Sequence, residues 1–428
     1  MKILIKDVTA ALRTGKGKYS TVKTDICIEG GKIVSVGNIQ ENYLPDKVIN
    51  GAGLLALPGL INAHTHVYMT CLRGIADDLP FDEWLFGRIL PNEDKLTAKD
   101  AYASSLLGCA EMLKSGTTAF LDMHMFPGKS AEAALKTGMR ACLSRGLVGS
   151  GDDEAGSTRL KQAKAEIAKY GGYDTLSFML APHSIYTTDA EYLKKVSEEA
   201  KKLNLPLHIH VSESLREVED CRKKHSKSPV KYLEDLGVFE NKVTAAHCVH
   251  ISDEDIEILA KHNVNVALCP RSNLKLGNGI APVKKLLDRG INLCVGTDSA
   301  ASNNTLNLFP DMSLTTLLHK GANMDASAVT AGEVLDMATC NGAKALGINS
   351  GELAVGKNAD IVMLNTNLPQ LEPKNDLISS LCYSANGSEV DTVIINGEIV
   401  LKNGRLTKIN EKSVCANSEI IIERLIER

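Results

Sequence analysis

The chain is poor in the features that would mark it for export, membranes or nucleic acid. Eleven cysteines are scattered over 428 residues with no Cys-x-x-Cys pair, which excludes a zinc ribbon and argues against a disulfide framework. They read as small buried hydrophobes. No apolar run approaches the roughly 18 residues a membrane-crossing helix needs, and Lys6 and Asp7 break the first apolar stretch before a signal core can form. A cytoplasmic protein is expected. The formal net charge is −4 with both signs interspersed, so no basic footprint for nucleic acid exists. A Gly-x-Gly-x-x-Gly turn behind a strand is also missing, which removes support for a dinucleotide fold.

What the chain does have is two His-x-His pairs, His64 with His66 and His208 with His210. Eleven histidines in 428 residues would produce about 0.3 such pairs by chance. Side chains at i and i+2 of a strand share a face, so each pair can aim two imidazoles at one point.

The middle of the chain alternates strand and helix. Apolar β runs fall at 55–61, 117–121, 140–148, 176–180, 206–209, 243–246, 264–268 and 291–295, and helix starts are marked by Thr97 with Asp100, Thr188 with Glu191, and Ser252 with Asp255. Eight strands with mostly helical connections indicate a (β/α)8 barrel, an open doubly wound sheet being the weaker alternative. Residues 1–57 and 350–428 instead carry short β runs with turns at Gly30-Gly31 and Asn396-Gly397. The expectation is an α/β protein: a barrel over 58–349 and one small β-sandwich domain built from both termini.

Barrel enzymes place their chemistry at the C-terminal ends of the strands. Those ends carry His64 and His66, then Arg145, His183, His210 with Glu213, His247, and Asp298. Three imidazoles and a carboxylate suit Zn2+, or Fe2+ as second choice, with one position left for water whose pKa falls from about 15.7 to about 7. Asp298 is both fourth-ligand candidate and proton acceptor. Glu213 is placed to carry a proton to the leaving side of a substrate. His208 lies deeper in its strand and is the weaker ligand candidate, His124 stays open, and His225, His250, His262 and His319 read as solvated or capping groups.

At this point the residues resemble the metal-dependent amidohydrolase superfamily, and within it the 5′-methylthioadenosine/S-adenosylhomocysteine deaminases. The resemblance rests on Pro58 to His66, Phe81-Asp82-Glu83-Trp84-Leu85, Arg145 to Val148, Pro182-His183-Ser184, His210 to Glu213, Ala246 to His250, Ser272 to Gly279 and Gly296 to Asn304. It implies one Zn2+ per subunit (Fe2+ possible) on His64, His66, His210 and Asp298, with His208 excluded. It implies Glu213, His247 and Asp298 as catalytic groups, ring protonation falling to Glu213 and proton relay to Asp298. Glu83 would bind ribose hydroxyls, His183 would lie near ribose and purine, and Arg145 with Arg159 would meet the 5′ tail. Glu213 and Asp298 would touch substrate as well. The implied reaction is hydrolytic deamination of a small nucleoside to the inosine derivative and ammonia, by a chain that can form a homo-oligomer. Guanine or triazine hydrolysis is the second reading and a non-catalytic barrel scaffold the third. The His-x-Glu with Pro-Cys-x-x-Cys of the other nucleobase deaminases is absent.

Overall fold

A computed structural model describes residues 1–39 and 43–426. The N-terminal strands are β1 (Lys2–Gly15), β2 (Lys18–Glu29), β3 (Lys32–Val36), β4 (Lys47–Asn50) and β5 (Leu54–Pro58). Next come the strands of the middle region: β6 (Leu60–Thr65), β7 (Thr117–His124), β8 (Arg140–Leu147), β9 (Leu176–Phe178), β10 (Ala181–Pro182), β11 (Leu207–Val211), β12 (Val243–His247), β13 (Asn265–Leu268) and β14 (Leu293–Val295). The C-terminal part adds β15 (Ile361–Asn365), β16 (Val390–Ile395), β17 (Glu398–Lys402) and β18 (Arg405–Leu406).

The middle strands run parallel in two arcs, β6 to β10 and β11 to β14. The arcs join at one seam where Leu180 N–H donates to Pro206 O and His208 N–H to Leu180 O, each at 3.0 Å, and at the other where Asp298 N–H reaches His64 O at 2.9 Å. The ring is therefore closed into a barrel whose fourth strand is broken in two. Buried residues of six successive barrel positions, Ala63, Ala119, Cys142, Met179, Ala267 and Cys294, pack into one cluster. At the second seam a Cβ on Gly296 would lie 2.7 Å from His64 N and 2.9 Å from its O. Only glycine allows that approach, so Gly296 sets how closely Asp298 comes to the His64 strand.

β1, β2, β3, β5 and β15 to β18 form one sheet in the order β18-β17-β16-β15-β5-β1-β2-β3, with β4 also paired to β1. Strands from both ends of the chain thus share one sheet around its own core of Ile3, Ile5, Val8, Ile26, Ile28 and Ile361. Arg140 at the base of β8 ties this sheet to the barrel: its Nε and Nη2 reach Asp360 at 3.0 and 3.3 Å, both side chains buried.

Three details correct the sequence reading. The run 55–61 is two strands, β5 in the terminal sheet and β6 in the barrel, because Gly59 N–H turns away to Asp360 O. The helix expected from Thr188 is capped one residue later by Asp189, whose carboxylate accepts from Tyr192 N–H at 2.8 Å. The C-terminal stretch is not all β: Glu411–Ile426 is a helix that packs Ile421 and Leu425 beside Tyr68, Met69 and Trp84 on the barrel. The capping boxes at Thr97/Asp100 and Ser252/Asp255 form as the sequence indicates. Among the described residues no helix is long and apolar enough to cross a membrane.

Candidate active site and metal centre

β6, β11, β12 and the turn after β14 bring His64, His66, His210, His247 and Asp298 together at one mouth of the barrel. Nε2 of His66 lies 3.4 Å from Nε2 of His210, and Asp298 Oδ1 lies 3.4 Å from His66 Nε2 and 3.5 Å from His64 Nε2. A tetrahedral ion with ligands at about 2.1 Å spaces them roughly 3.4 Å apart. The spacing therefore fits a metal held by these four side chains.

The hydrogen bonds behind the cluster decide which nitrogens are bare. His66 Nδ1–H donates to Met123 O at 2.8 Å and His210 Nδ1–H to His183 O at 2.7 Å, so both Nε2 atoms carry lone pairs. His64 is set by a longer relay. Ser144 Oγ–H donates to Asp122 O at 2.6 Å, which leaves its oxygen to accept from His208 Nδ1–H at 3.4 Å. His208 Nε2 is then the acceptor for His64 Nδ1–H at 2.8 Å. His64 Nε2 ends buried without a hydrogen-bond partner. His208 thus stands behind the cluster and turns no free nitrogen toward it. Burial also holds His64 down at about 4, so it is neutral and ready to ligate.

The remaining polar groups are fixed as firmly. Asp298 Oδ2 accepts from Ser272 Oγ–H at 2.6 Å and Ser302 Oγ–H at 2.8 Å, leaving Oδ1 for the histidines. His247 Nδ1–H donates to Asn273 Oδ1 at 2.8 Å, and its Nε2 lies 3.9 Å from Glu213 Oε1. Glu213 accepts from Asn278 Nδ2 at 3.2 Å, and burial raises its carboxyl above the ordinary range. Its backbone is pinned from below: Glu217 accepts the N–H groups of Ser212 and Glu213 at 3.0 and 2.8 Å. Ser212, His247 and Asp298 adopt left-handed backbone, with φ of 51°, 73° and 61°. Such conformations cost non-glycine residues about 1–3 kcal/mol each and persist where the surroundings enforce them. Here they turn strand ends sharply enough to aim side chains into the mouth.

A cavity of about 230 Å3 opens above the cluster. His183 lines it, with Nδ1 on Thr187 Oγ1 at 3.0 Å and its pKa pushed down to about 3 by burial. Three expected substrate contacts stand elsewhere. Glu83 is exposed, because the wide π-type turn Glu83–Ile89 puts Trp84 and Ile89 inward instead. Arg145 is forked onto Glu166 at 2.9 and 2.6 Å, and only its neighbour Gly146 reaches the cavity. Arg159 donates to Val148 O at 2.9 Å and lines a separate shallow groove.

The cavity also holds Glu93, which escaped the sequence reading, and His124, which that reading left open. Glu93 is buried with no hydrogen-bond partner for its carboxyl among the described residues, and burial raises it to about 8. His124 Nδ1 accepts from Phe126 N–H, so Nε2 carries the proton and has no acceptor. His-rich strand ends pointed to His124; no spacing pattern could have singled out Glu93. Of the histidines read as solvated, His319 is buried in the helix Leu308–Asn323.

The amidohydrolase family model matches residues 55–400. The chain belongs to this family. Over its whole length it is 44% identical to a 5-methylthioadenosine/S-adenosylhomocysteine deaminase of Thermoanaerobacter pseudethanolicus, also covered entirely. It is likewise 44% identical to a 5′-deoxyadenosine deaminase of Methanocaldococcus jannaschii, covering 94% of this chain and 97% of the other. Among solved structures, an adenosine deaminase from Xanthomonas campestris with bound zinc aligns at a TM-score of 0.95 and 29% identity, covering 100% of this chain and 99% of the other. This amidohydrolase therefore has a barrel-type catalytic fold and the donor set for a metal.

Proposed function

We propose that this amidohydrolase is a metal-dependent hydrolytic deaminase of adenosine-type nucleosides, releasing ammonia and the matching inosine. The observation that carries the reading is the four-donor cluster at tetrahedral spacing with Glu213 and His247 beside it, in a chain full-length similar to deaminases of such nucleosides. We assign the metal to His64, His66, His210 and Asp298, one ion per subunit, zinc before ferrous iron. When bound, the metal supplies Lewis acidity that makes water a nucleophile near neutral pH.

The protein's own groups do the rest. Glu213, kept protonated more readily by its burial, gives a proton to the purine ring nitrogen, which breaks the aromaticity that resists attack. Asp298, its second oxygen anchored by Ser272 and Ser302, accepts the proton of the attacking water and passes it to the departing amine. The carbon–nitrogen bond breaks, ammonia leaves, and the remaining hydroxyl proton returns to Glu213 as the ring keeps the oxygen as a carbonyl. His247 faces the same point with Nε2, where Glu213 and Asp298 outweigh burial and raise its pKa; in protonated form it donates to the developing oxyanion. His183, neutral on the cavity wall, is assigned to the purine or ribose.

We divide the chain into a catalytic barrel over 58–349 and a unit of 1–57 with 350–428, the nine-stranded sheet folding over its core as a sandwich; residues 40–42 and 427–428 of that unit lie outside the described residues. The test is ammonia release by the zinc-loaded and iron-loaded protein from adenosine, 5′-deoxyadenosine, methylthioadenosine, guanine and a triazine. Turnover confined to the nucleosides and lost on chelation supports the reading. Turnover of guanine or the triazine alone would retain the metal and discard the nucleoside.

A further inference from the structure

Three strand ends supply the proton-handling groups of the reaction proposed above, on which this inference rests: Glu213 follows β11, His247 ends β12 and Asp298 follows β14. A single segment, residues 272–278, touches all three. Ser272 Oγ–H donates to Asp298 Oδ2 at 2.6 Å, Asn273 Oδ1 accepts from His247 Nδ1–H at 2.8 Å, and Asn278 Nδ2–H donates to Glu213 Oε1 at 3.2 Å. Ser272, Asn273 and Asn278 are buried, and the two asparagines are joined by Asn278 N–H donating to Asn273 O at 2.8 Å. The segment is itself anchored. Lys275 Nζ reaches Asp77 Oδ1 at 2.6 Å and also Asn304 Oδ1, and His250 Nε2–H donates to Asn278 O at 2.6 Å. The backbone N–H groups of Val249 and His250 both bond to Ser212 O, at 3.1 and 3.0 Å, so this anchor leads back to the turn that carries Glu213.

We propose that segment 272–278 is the positioning element of this active site, with Asn273 and Asn278 fixing which atoms of His247 and Glu213 face the substrate. An amide oxygen can only accept, so Asn273 holds a proton on His247 Nδ1 and turns Nε2 to the reacting point. An amide N–H on Oε1 leaves Oε2 as the oxygen that holds the transferable proton of Glu213. Neither asparagine lines the cavity, so both act through a catalytic group and are positioning residues. Loss of either support lets its group drift, and a misplacement of about 1 Å costs about 10²-fold in rate.

The experiment is a pair of double-mutant cycles on the zinc-loaded protein with 5′-deoxyadenosine, Asn278→Ala crossed with Glu213→Gln and Asn273→Leu crossed with His247→Ala. Zinc stoichiometry and circular dichroism establish that each variant is loaded and folded. Each asparagine substitution should lower kcat about 10- to 100-fold in the parent with KM within threefold. The same substitution should change kcat less than twofold where its partner is already replaced, because groups that act as a unit lose their effect together. Asn273→Asp, which keeps an accepting oxygen, should recover most of the loss. Losses that multiply in full across either cycle, or an Asn273→Asp protein as slow as Asn273→Leu, overturn the inference while leaving the deaminase reading intact. Should Asn273→Leu fail to fold, the Asn278 cycle decides alone. If the parent turns over no adenosine derivative, the functional reading fails and this inference falls with it.

Discussion

Replacing His208 by leucine tests the relay behind the metal cluster without touching a proposed ligand. His208 Nε2 is the acceptor for His64 Nδ1–H at 2.8 Å, and His64 is completely buried. Leucine leaves that donor unpaired, which costs about 1–3 kcal/mol of stability. It also frees His64 to move its proton to Nε2, the atom that must stay bare for a metal. Removing such a partner lowers metal affinity roughly 10- to 100-fold, equivalent to about 1.4–2.7 kcal/mol. The assay is competition for zinc between the metal-free protein and a chelating dye, with circular dichroism to establish that the variant is folded. The Kd should rise by that factor while the stoichiometry stays unchanged, and His208→Gln, whose side-chain oxygen can accept, should recover part of the loss. A folded His208→Leu protein binding zinc within twofold of the original would refute the relay.

The other predictions concern the acid, a cavity carboxyl and the joint between sheet and barrel. Glu213→Gln keeps the shape and the metal but cannot cycle a proton, so kcat should fall roughly 10²- to 10⁴-fold at unchanged metal content, and unchanged turnover would remove its role. Glu93 is raised from the ordinary value of 4.5 to about 8, so the folded state holds its proton while the unfolded state releases it. The stability this carries is present below about pH 4.5, falls by at most about 1.4 kcal/mol per pH unit, and is lost by the time pH has risen through about 8. Melting of Glu93→Gln relative to the parent should therefore improve between about pH 5 and pH 8.5; a constant difference would exclude the linkage. Asp360→Asn breaks a buried pair with Arg140 and weakens the site that also accepts from Ser350 Oγ–H at 2.6 Å and Asn396 N–H at 2.9 Å. Urea unfolding should show a loss of about 3–5 kcal/mol, and a loss under about 1 kcal/mol would mean that the joint is held elsewhere.

The parts legible in the sequence were those governed by a short period or by a fixed local geometry. His64 and His66 share a strand face, Thr97 and Asp100 close a capping box, and Asn396-Gly397 turns between β16 and β17 with both residues at positive φ. Each of these follows from neighbours one to four residues apart. The division of 55–61 into two strands was hidden because nothing in that apolar run shows that Gly59 N–H will bond to Asp360, some 300 residues later in sequence. The C-terminal helix was missed although Val414, Ile421 and Leu425 keep helical spacing; Tyr68 and Trp84, with which Ile421 and Leu425 cluster, lie far upstream.

The same distinction explains why the metal donors were easier to find than the substrate contacts. A donor on a barrel strand inherits its direction from a hydrogen-bonded frame, and residues such as Ser212, His247 and Asp298 can hold left-handed backbone only because that frame is stiff. The segment after β6 has no such frame. Its wide turn decides that Trp84 rather than Glu83 faces inward and that Glu93, ten residues further on, reaches the cavity. Arg145 illustrates the complementary case. Its place at the end of β8 was readable, but its availability was not, because Glu166 comes back on the following helix to occupy both arms of the guanidinium. A charge seen in sequence is a binding group only if the fold leaves it unpaired: Arg145 is held by Glu166 away from the cavity, while Glu93 on the wall has no hydrogen-bond partner for its carboxyl among the described residues. Specificity in this amidohydrolase is accordingly set by which long-range pairs form around the mouth, while the chemistry is set by strands that would present the same donors to any substrate able to enter.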